Sequence, residues 1–363
     1  MSPFGLFKLF LLITGSLIAT VFFFKRFWRG ESKIRSITIN FIVLVFSLLY
    51  SFTLLELLLS TVFLQSYESG FSLFEKRWDD LYWKPINSIG YRDVDHPKSD
   101  FANKKTIYVV GDSFVAGYGI KDYRDRFANV LQDELGERWS VITIAKNGWG
   151  TFAEYNALLS YPNKPTKIFG ANGNGIVNQT IQDPNLKPNV IILSYFINDI
   201  EDAAYFDGLG WFQPPALYGN QFIQSMSNRS FVFNFVYWTL YLRMHPDIGK
   251  VYWDYLRECY TRGDIWKTQT DELLKFVDFA RSRNIKLIVV VFPELRNIEG
   301  SKEFTSKVVD LMKENNVSVI DLDTILSGRN PRELIVQPLD GHPSAELHKE
   351  VANLLFERVN STQ

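Results

Sequence analysis

The sequence predicts a three-layer α/β/α domain built on a doubly wound parallel sheet, preceded by two transmembrane helices. Three observations carry this. From about Lys104 onward, short β-rich runs alternate with helical patterns in the order β-α-β-α-β-α-β-α-β-α, the pattern of a parallel sheet with crossover helices. Most of these runs are nearly continuous in apolar residues, as strands covered on both faces are. Ahead of them stand two apolar segments, each long enough to cross the ~30 Å hydrocarbon core that ~20 helical residues span.

The first segment, Phe4 to Phe24, is apolar apart from Lys8, which lies near enough to its start to snorkel. The second, Ile37 to Leu64, is broken only by Asn40 and Glu56. If its embedded part begins near Thr38, Glu56 falls at the far interface, where a carboxylate is tolerated, so it is expected to be an interfacial residue. Between the segments Lys25, Arg26, Arg29, Lys33 and Arg35 stand against a single Glu31, which predicts a cytoplasmic loop at 25–36. The residues after the second segment are mixed in charge. The expectation is a multi-pass protein of the cell membrane, anchored by residues 1–65, with the C-terminal domain extracytoplasmic. A cleavable signal peptide fits less well, because the basic residues follow the apolar stretch and no small-x-small site precedes Lys25.

Residues 66–103 read as an irregular connector, and the α/β domain is expected over 104–363. Its candidate strands are Thr106 to Val110, Ser140 to Ala145, Asn189 to Tyr195, Lys286 to Phe292 and Ser318 to Leu322. Its candidate helices are Arg124 to Leu135, Phe152 to Ser160, Thr268 to Arg283, Lys302 to Asn315 and Ser344 to Val359. Two insertions interrupt the alternation. Tyr161 to Lys187 follows a helix and is expected at the end of the sheet away from any chemistry. Residues 201–266 follow a strand and are expected to overhang the carboxyl ends of the strands, where ligand sites of such sheets gather. This insertion holds much of the aromatic excess, and most of its rings are expected to pack helices such as Phe231 to Arg243. Sugar stacking, lipid contact or an acyl pocket stays open for a few.

Composition excludes several function classes. A formal net charge of -1 gives no excess of cations to track phosphates, so no nucleic-acid partner is expected. One cysteine, Cys259, permits no intrachain disulfide, and a packed thiol is expected there. The four histidines are scattered and no cysteine pair exists, so neither a metal site nor a cofactor is expected.

Chemistry concentrates in four polar clusters. Gly111-Asp112-Ser113 follows the first strand, Asn147-Gly148-Trp149-Gly150-Thr151 the second, and Asn198-Asp199 the third, while Asp340-Gly341-His342-Pro343 precedes the last helix. In a parallel sheet these should converge at one rim. Acyl transfer by a serine needs a base, a group orienting that base, and donors aimed at the oxyanion, and the clusters supply all of these. Alone, a serine at 113 would more often be the N-cap of the next helix than a nucleophile. Asp112 and Asp199 are expected to buttress their turns, His348 to lie on the surface, and His96 and His245 to sit in loops.

These clusters resemble the signature blocks of the SGNH hydrolase superfamily, the GDSL-type esterases and lipases. The resemblance runs from Asn87 to Val359 and includes Asn87-Ser88-Ile89-Gly90-Tyr91-Arg92-Asp93, which is similar to a segment of envelope-associated members. It implies Ser113 as nucleophile, His342 as general base and Asp340 as its orienting group. It also implies an oxyanion hole from the backbone N–H of Ser113, the backbone N–H of Gly148 and the Asn198 amide, with Gly150 the alternative to Gly148. The chain departs from the blocks in two places. Leu339 stands three residues before His342, where the family often has its Asp, and Phe196 stands where the third block begins with Gly.

The expected function is an esterase that cleaves acyl, foremost O-acetyl, esters on an extracytoplasmic glycan or lipid through an acyl-serine intermediate. One alternative transfers the acyl group to an envelope polysaccharide and needs a membrane acyl-donor partner. Another is a non-catalytic binding protein on the same fold.

Overall fold

The computed structural model describes residues 3–27, 33–67, 71–163, 187–213 and 221–361. The chain divides into two compact units, Met1–Asp80 with Ala216–Pro246 and Leu81–Pro215 with Asp247–Gln363. This differs from the expected boundary at 103/104. Residues 81–103 belong to the sheet-bearing unit, and the middle of the aromatic insertion belongs with the N-terminal helices.

The sheet has five parallel strands, β1 (Lys105–Gly111), β2 (Trp139–Ala145), β3 (Val190–Tyr195), β4 (Lys286–Val291) and β5 (Ser318–Asp321), in the order β2-β1-β3-β4-β5. Every residue of β3 is buried, which is why its sequence shows no alternation. The described helices of this unit include Phe127–Leu135, Thr151–Ser160, Gly263–Ser282, Ile298–Glu314 and Ala345–Asn360. Helix Gly263–Ser282 begins well before the expected Thr268, because Ile265 is buried and Asp264 supplies an acidic first turn. A two-stranded antiparallel hairpin, β6 (Ile335–Gln337) and β7 (Asp340–Pro343), was not expected. The insertion after Tyr161 lies outside the described residues over 164–186.

The segment Asn87–Asp93 clamps the loop that follows β1. Arg92, almost wholly buried, donates from Nη1 to Gly117 O at 2.5 Å and from Nη2 to Tyr82 O at 2.9 Å and Ile120 O at 2.6 Å. Buried Arg126 donates to the Arg92 carbonyl and pairs with Asp93 Oδ1 at 3.7 Å, while Asp93 Oδ2 accepts from Thr143 N of β2 at 2.8 Å. Cys259 is a packed thiol, pushed up by burial to about 12.

In the N-terminal unit, helices Pro3–Phe27 and Lys33–Val62 pack together, with Phe10 and Tyr50 ring centroids 4.5 Å apart. Their windows Phe7–Phe24 and Ser36–Val62 are long and apolar enough to cross a membrane. Part of the expected cytoplasmic loop, residues 28–32, lies outside the described residues. Glu56, expected at the membrane interface, is held by the protein. It is buried, and its carboxylate accepts from Ser230 Oγ, from Phe231 N at 3.0 Å and from Val232 N at 3.1 Å.

His348 is also corrected, from surface to core. It is fully buried, its Nδ1 accepts from Phe127 N at 3.1 Å, and its ring stacks on Phe127. It thereby caps helix Phe127–Leu135 from the last helix of the chain. Burial, helped by the nearby Arg126 and Arg92 charges, pulls its imidazole down to about 3. The unfolded chain would bind a proton near pH ~6.5 that the folded chain refuses, so this stability is complete above ~6.5 and is lost as pH falls toward 3. His348→Gln keeps an acceptor for Phe127 N without the titration. Urea unfolding of this variant should lose up to about 5 kcal/mol less than wild type between these pH values; parallel profiles would refute the assignment.

Candidate active site

Gly111 ends β1, and Asp112 then caps the short helix Ser113–Ala116, its Oδ1 accepting from Phe114 N at 2.8 Å. The N-cap of this turn is therefore Asp112, and the Ser113 hydroxyl is left for other contacts. His342 Nε2 lies 2.8 Å from Ser113 Oγ, and His342 Nδ1 lies 2.5 Å from Asp340 Oδ1. The same carboxylate oxygen accepts from His342 N at 3.2 Å. The two-residue spacing works because both residues lie on β7, where alternate side chains point to one side. Leu339, just before the strand, is 47% exposed.

Gly148 and Asn198 follow β2 and β3, the two neighbours of β1, so their loops flank the Ser113 turn. Gly148 has φ +70°, the left-handed region that a side chain disfavours. Gly150 is a glycine for a different reason. A Cβ there would lie 2.8 Å from Asp199 O and 2.8 Å from Asp202 Oδ2. Asn198 sits on the turn Ile197–Ile200, with Oδ1 buried and without a hydrogen-bond partner among the described residues. Asp199 Oδ2 accepts from Phe196 N at 2.9 Å and holds that turn. Phe196 stacks on Phe114 with centroids 4.2 Å apart, and the rings of Phe114 and Tyr118 lie 5.4 and 5.0 Å from that of His342. His342, beside Ser113, thus sits in an aromatic surround.

Two acids here escaped the sequence reading. Asp202 accepts from Ala153 N at 3.3 Å at the start of helix Thr151–Ser160, and burial pushes its carboxyl up to about 6. Glu154, in the first turn of that helix, is fully buried with no partner on either oxygen among the described residues. Burial and the charges of Asp112 and Asp202 push it well above the usual carboxylate range. The signal was present in the apolar periodicity, since Ala153, Ala157 and Leu158 define a buried face that includes position 154. Asp199 is pushed well up by burial and by Glu154 and Asp112, and burial also raises Asp112 against its hydrogen bonds from Phe114 N and Ser113.

The close packing at Gly150 is testable. Gly150→Ala should lower unfolding free energy by about 1–3 kcal/mol, because backbone at Asp199 has to move. Gly263→Ala, on a helix with nothing within 4 Å of its added Cβ, should be neutral or stabilising. Equal denaturation midpoints for the two variants would contradict this account.

The model of the GDSL-like lipase/acylhydrolase family matches residues 109–350. Among solved structures, the chain is similar to a carbohydrate acetylesterase family member from Sinorhizobium meliloti at 16% identity, covering 71% of this chain and 98% of that one with a TM-score of 0.38. It is similar to the lipase/acylhydrolase from Enterococcus faecalis at 14% identity, 71% and 96% coverage and a TM-score of 0.39. A third is the psychrotrophic esterase EstA from Pseudoalteromonas sp., at 14% identity, 71% and 98% coverage and a TM-score of 0.37. No curated protein matches the chain. With a family match that begins inside β1, ends in the last helix and takes in Ser113, Asp340 and His342 alike, the chain belongs to the GDSL-like lipase/acylhydrolase family and is a serine hydrolase acting on ester bonds.

Proposed function

We propose that the protein is a membrane-anchored esterase that removes short acyl groups, foremost O-acetyl, from an extracytoplasmic glycan through an acyl-serine intermediate. The observation that carries the reading is the chain of hydrogen bonds from Ser113 Oγ through His342 to Asp340, at 2.8 and 2.5 Å. His342 Nε2 takes the hydroxyl proton as Ser113 Oγ bonds to the acyl carbon. Asp340 holds Nδ1–H and stabilises the imidazolium that forms. The oxyanion is met by the backbone N–H groups of Ser113 and Gly148 and by the Asn198 amide. Collapse expels the alcohol, which leaves with the proton from His342. A water, deprotonated by the same imidazole, then cleaves the acyl-serine and restores the hydroxyl.

Two features support a short acyl group. Ser113 and His342 are only 7% and 8% exposed, and Phe114, Phe196 and Tyr118 crowd the space around them. The extracytoplasmic setting rests on the basic residues between the two apolar segments.

Chromogenic p-nitrophenyl esters test this reading in the full-length protein. Ser113→Ala should fall to the uncatalysed rate, and a rate equal to wild type would sink the nucleophile. Asp340→Asn should cost roughly 10³–10⁴ in kcat; a rate equal to wild type would remove Asp340 as the orienting residue. Asn198→Ala should lower kcat by about 10²-fold with KM little changed. Across acetate, butyrate and octanoate esters kcat/KM should fall with length, and a preference for octanoate would overturn the short-acyl assignment.

A further inference from the structure

Helix Phe231–Met244 has one charged residue, Arg243, in fourteen. One face packs inward, with Phe231 on Phe74 and Trp238 on Phe71 at centroid distances of 5.1 and 6.2 Å. Asn234 is buried there, and its Nδ2 donates to Ser227 O at 3.1 Å and reaches Ser72 Oγ at 3.3 Å. The other face carries Phe233, Val236, Leu240 and Met244 at spacings of three, four and four, and these are 43%, 47%, 49% and 70% exposed. A helix facing water carries polar residues on that side; this one is apolar on both. At ~21 Å it is too short to cross a bilayer.

Its place is fixed from the start. Glu56 accepts from Ser230 Oγ and from the N–H groups of Phe231 and Val232, and Phe52 meets Phe233 at 6.1 Å. Both Glu56 and Phe52 lie inside the apolar window Ser36–Val62. Glu56 precedes the end of that window by six residues, or ~9 Å of helix. The first turn of Phe231–Met244 is thus attached below the rim of the apolar layer, where no water satisfies helix N–H groups and an acceptor has to come from the protein.

We infer that Phe231–Met244 is a membrane-contacting helix, seated in the leaflet nearest Val62 with Phe233, Val236, Leu240 and Met244 against lipid acyl chains. The inference rests on the reading that Ser36–Val62 spans a bilayer, and the experiment separates the two. Cys259 is buried, so unsubstituted protein reports the labelling background. Leu240→Cys, Leu49→Cys and Lys349→Cys replace exposed residues, leaving packing undisturbed. Each variant of the full chain is labelled with an environment-sensitive fluorophore and reconstituted in phosphatidylcholine vesicles containing 5-doxyl or 12-doxyl lipid. The label at 240 should lose most of its fluorescence, more to the 5-doxyl than to the 12-doxyl lipid, since interfacial helices lie about 5–10 Å into the headgroup and acyl boundary. The label at 49, in mid-span, should be quenched more by 12-doxyl, and that at 349 by neither. Quenching at 49 with none at 240, or deeper quenching at 240 by 12-doxyl, overturns the inference and leaves the span standing. No quenching at 49 removes the span and the inference with it.

Discussion

The hydroxyl of Ser113 has one proton and two acceptors within reach, His342 Nε2 at 2.8 Å and Asp112 Oδ2 at 3.2 Å. In the proposed mechanism only the first is a productive destination, because a proton shared with a carboxylate is withheld from the base. Asp112 stands among other buried acids. Asp112 is wholly buried, and burial raises its carboxyl in spite of the hydrogen bonds that favour its charge. Glu154 and Asp199, both raised well above the usual range, share this space and its like charge. Acids crowded in a low-dielectric interior cannot all ionise. Of the two acceptors, His342 Nε2 is the nearer to Ser113 Oγ, at 2.8 Å against 3.2 Å.

That 2.8 Å contact joins residues far apart in sequence, and two buried clamps hold its ends. Behind Ser113, Arg92 binds carbonyls of residues 117 and 120 and so fixes the loop leaving the turn. On the other side, the strand carrying His342 leads through Ser344 into the helix Ala345–Asn360, and His348 on that helix accepts from Phe127 N at the start of helix Phe127–Leu135. Arg126, the residue before Phe127, donates to the Arg92 carbonyl. The two clamps therefore meet at residues 126 and 127. A shift of the last helix would be felt in the loop behind Ser113, since packed interiors pass displacement on.

The strands were legible because burial on both faces leaves an unbroken apolar run, and their ends were legible because a parallel sheet brings them to one rim. The polar clusters followed from that placement. His348 was not legible: helical position alone marks it as polar, and its burial depends on which helix lies opposite. Glu154 was legible from periodicity but hidden by the habit of placing glutamate outside. Glu56 required knowledge of a partner 174 residues away in the chain. How Asp340 could reach His342 from only two residues away was not legible, because it depends on an unforeseen strand whose two-residue period puts both on one side.

The same reasoning separates the two glycines of the second cluster. At Gly150 the missing Cβ lets the loop touch Asp199 and Asp202. Asp202 also accepts from Ala153 N in the first turn of helix Thr151–Ser160, so the backbone at residue 150 is packed against the acid that holds the helix start. At Gly148 no heavy atom stands within 4 Å of a Cβ, and what glycine supplies is the left-handed backbone. A residue kept for its backbone direction alone, in open space beside the Ser113 turn, is suited to turn an N–H toward a developing oxyanion. In the proposed mechanism the close packing at Gly150 and the open, left-handed backbone at Gly148 favour Gly148 as the donor.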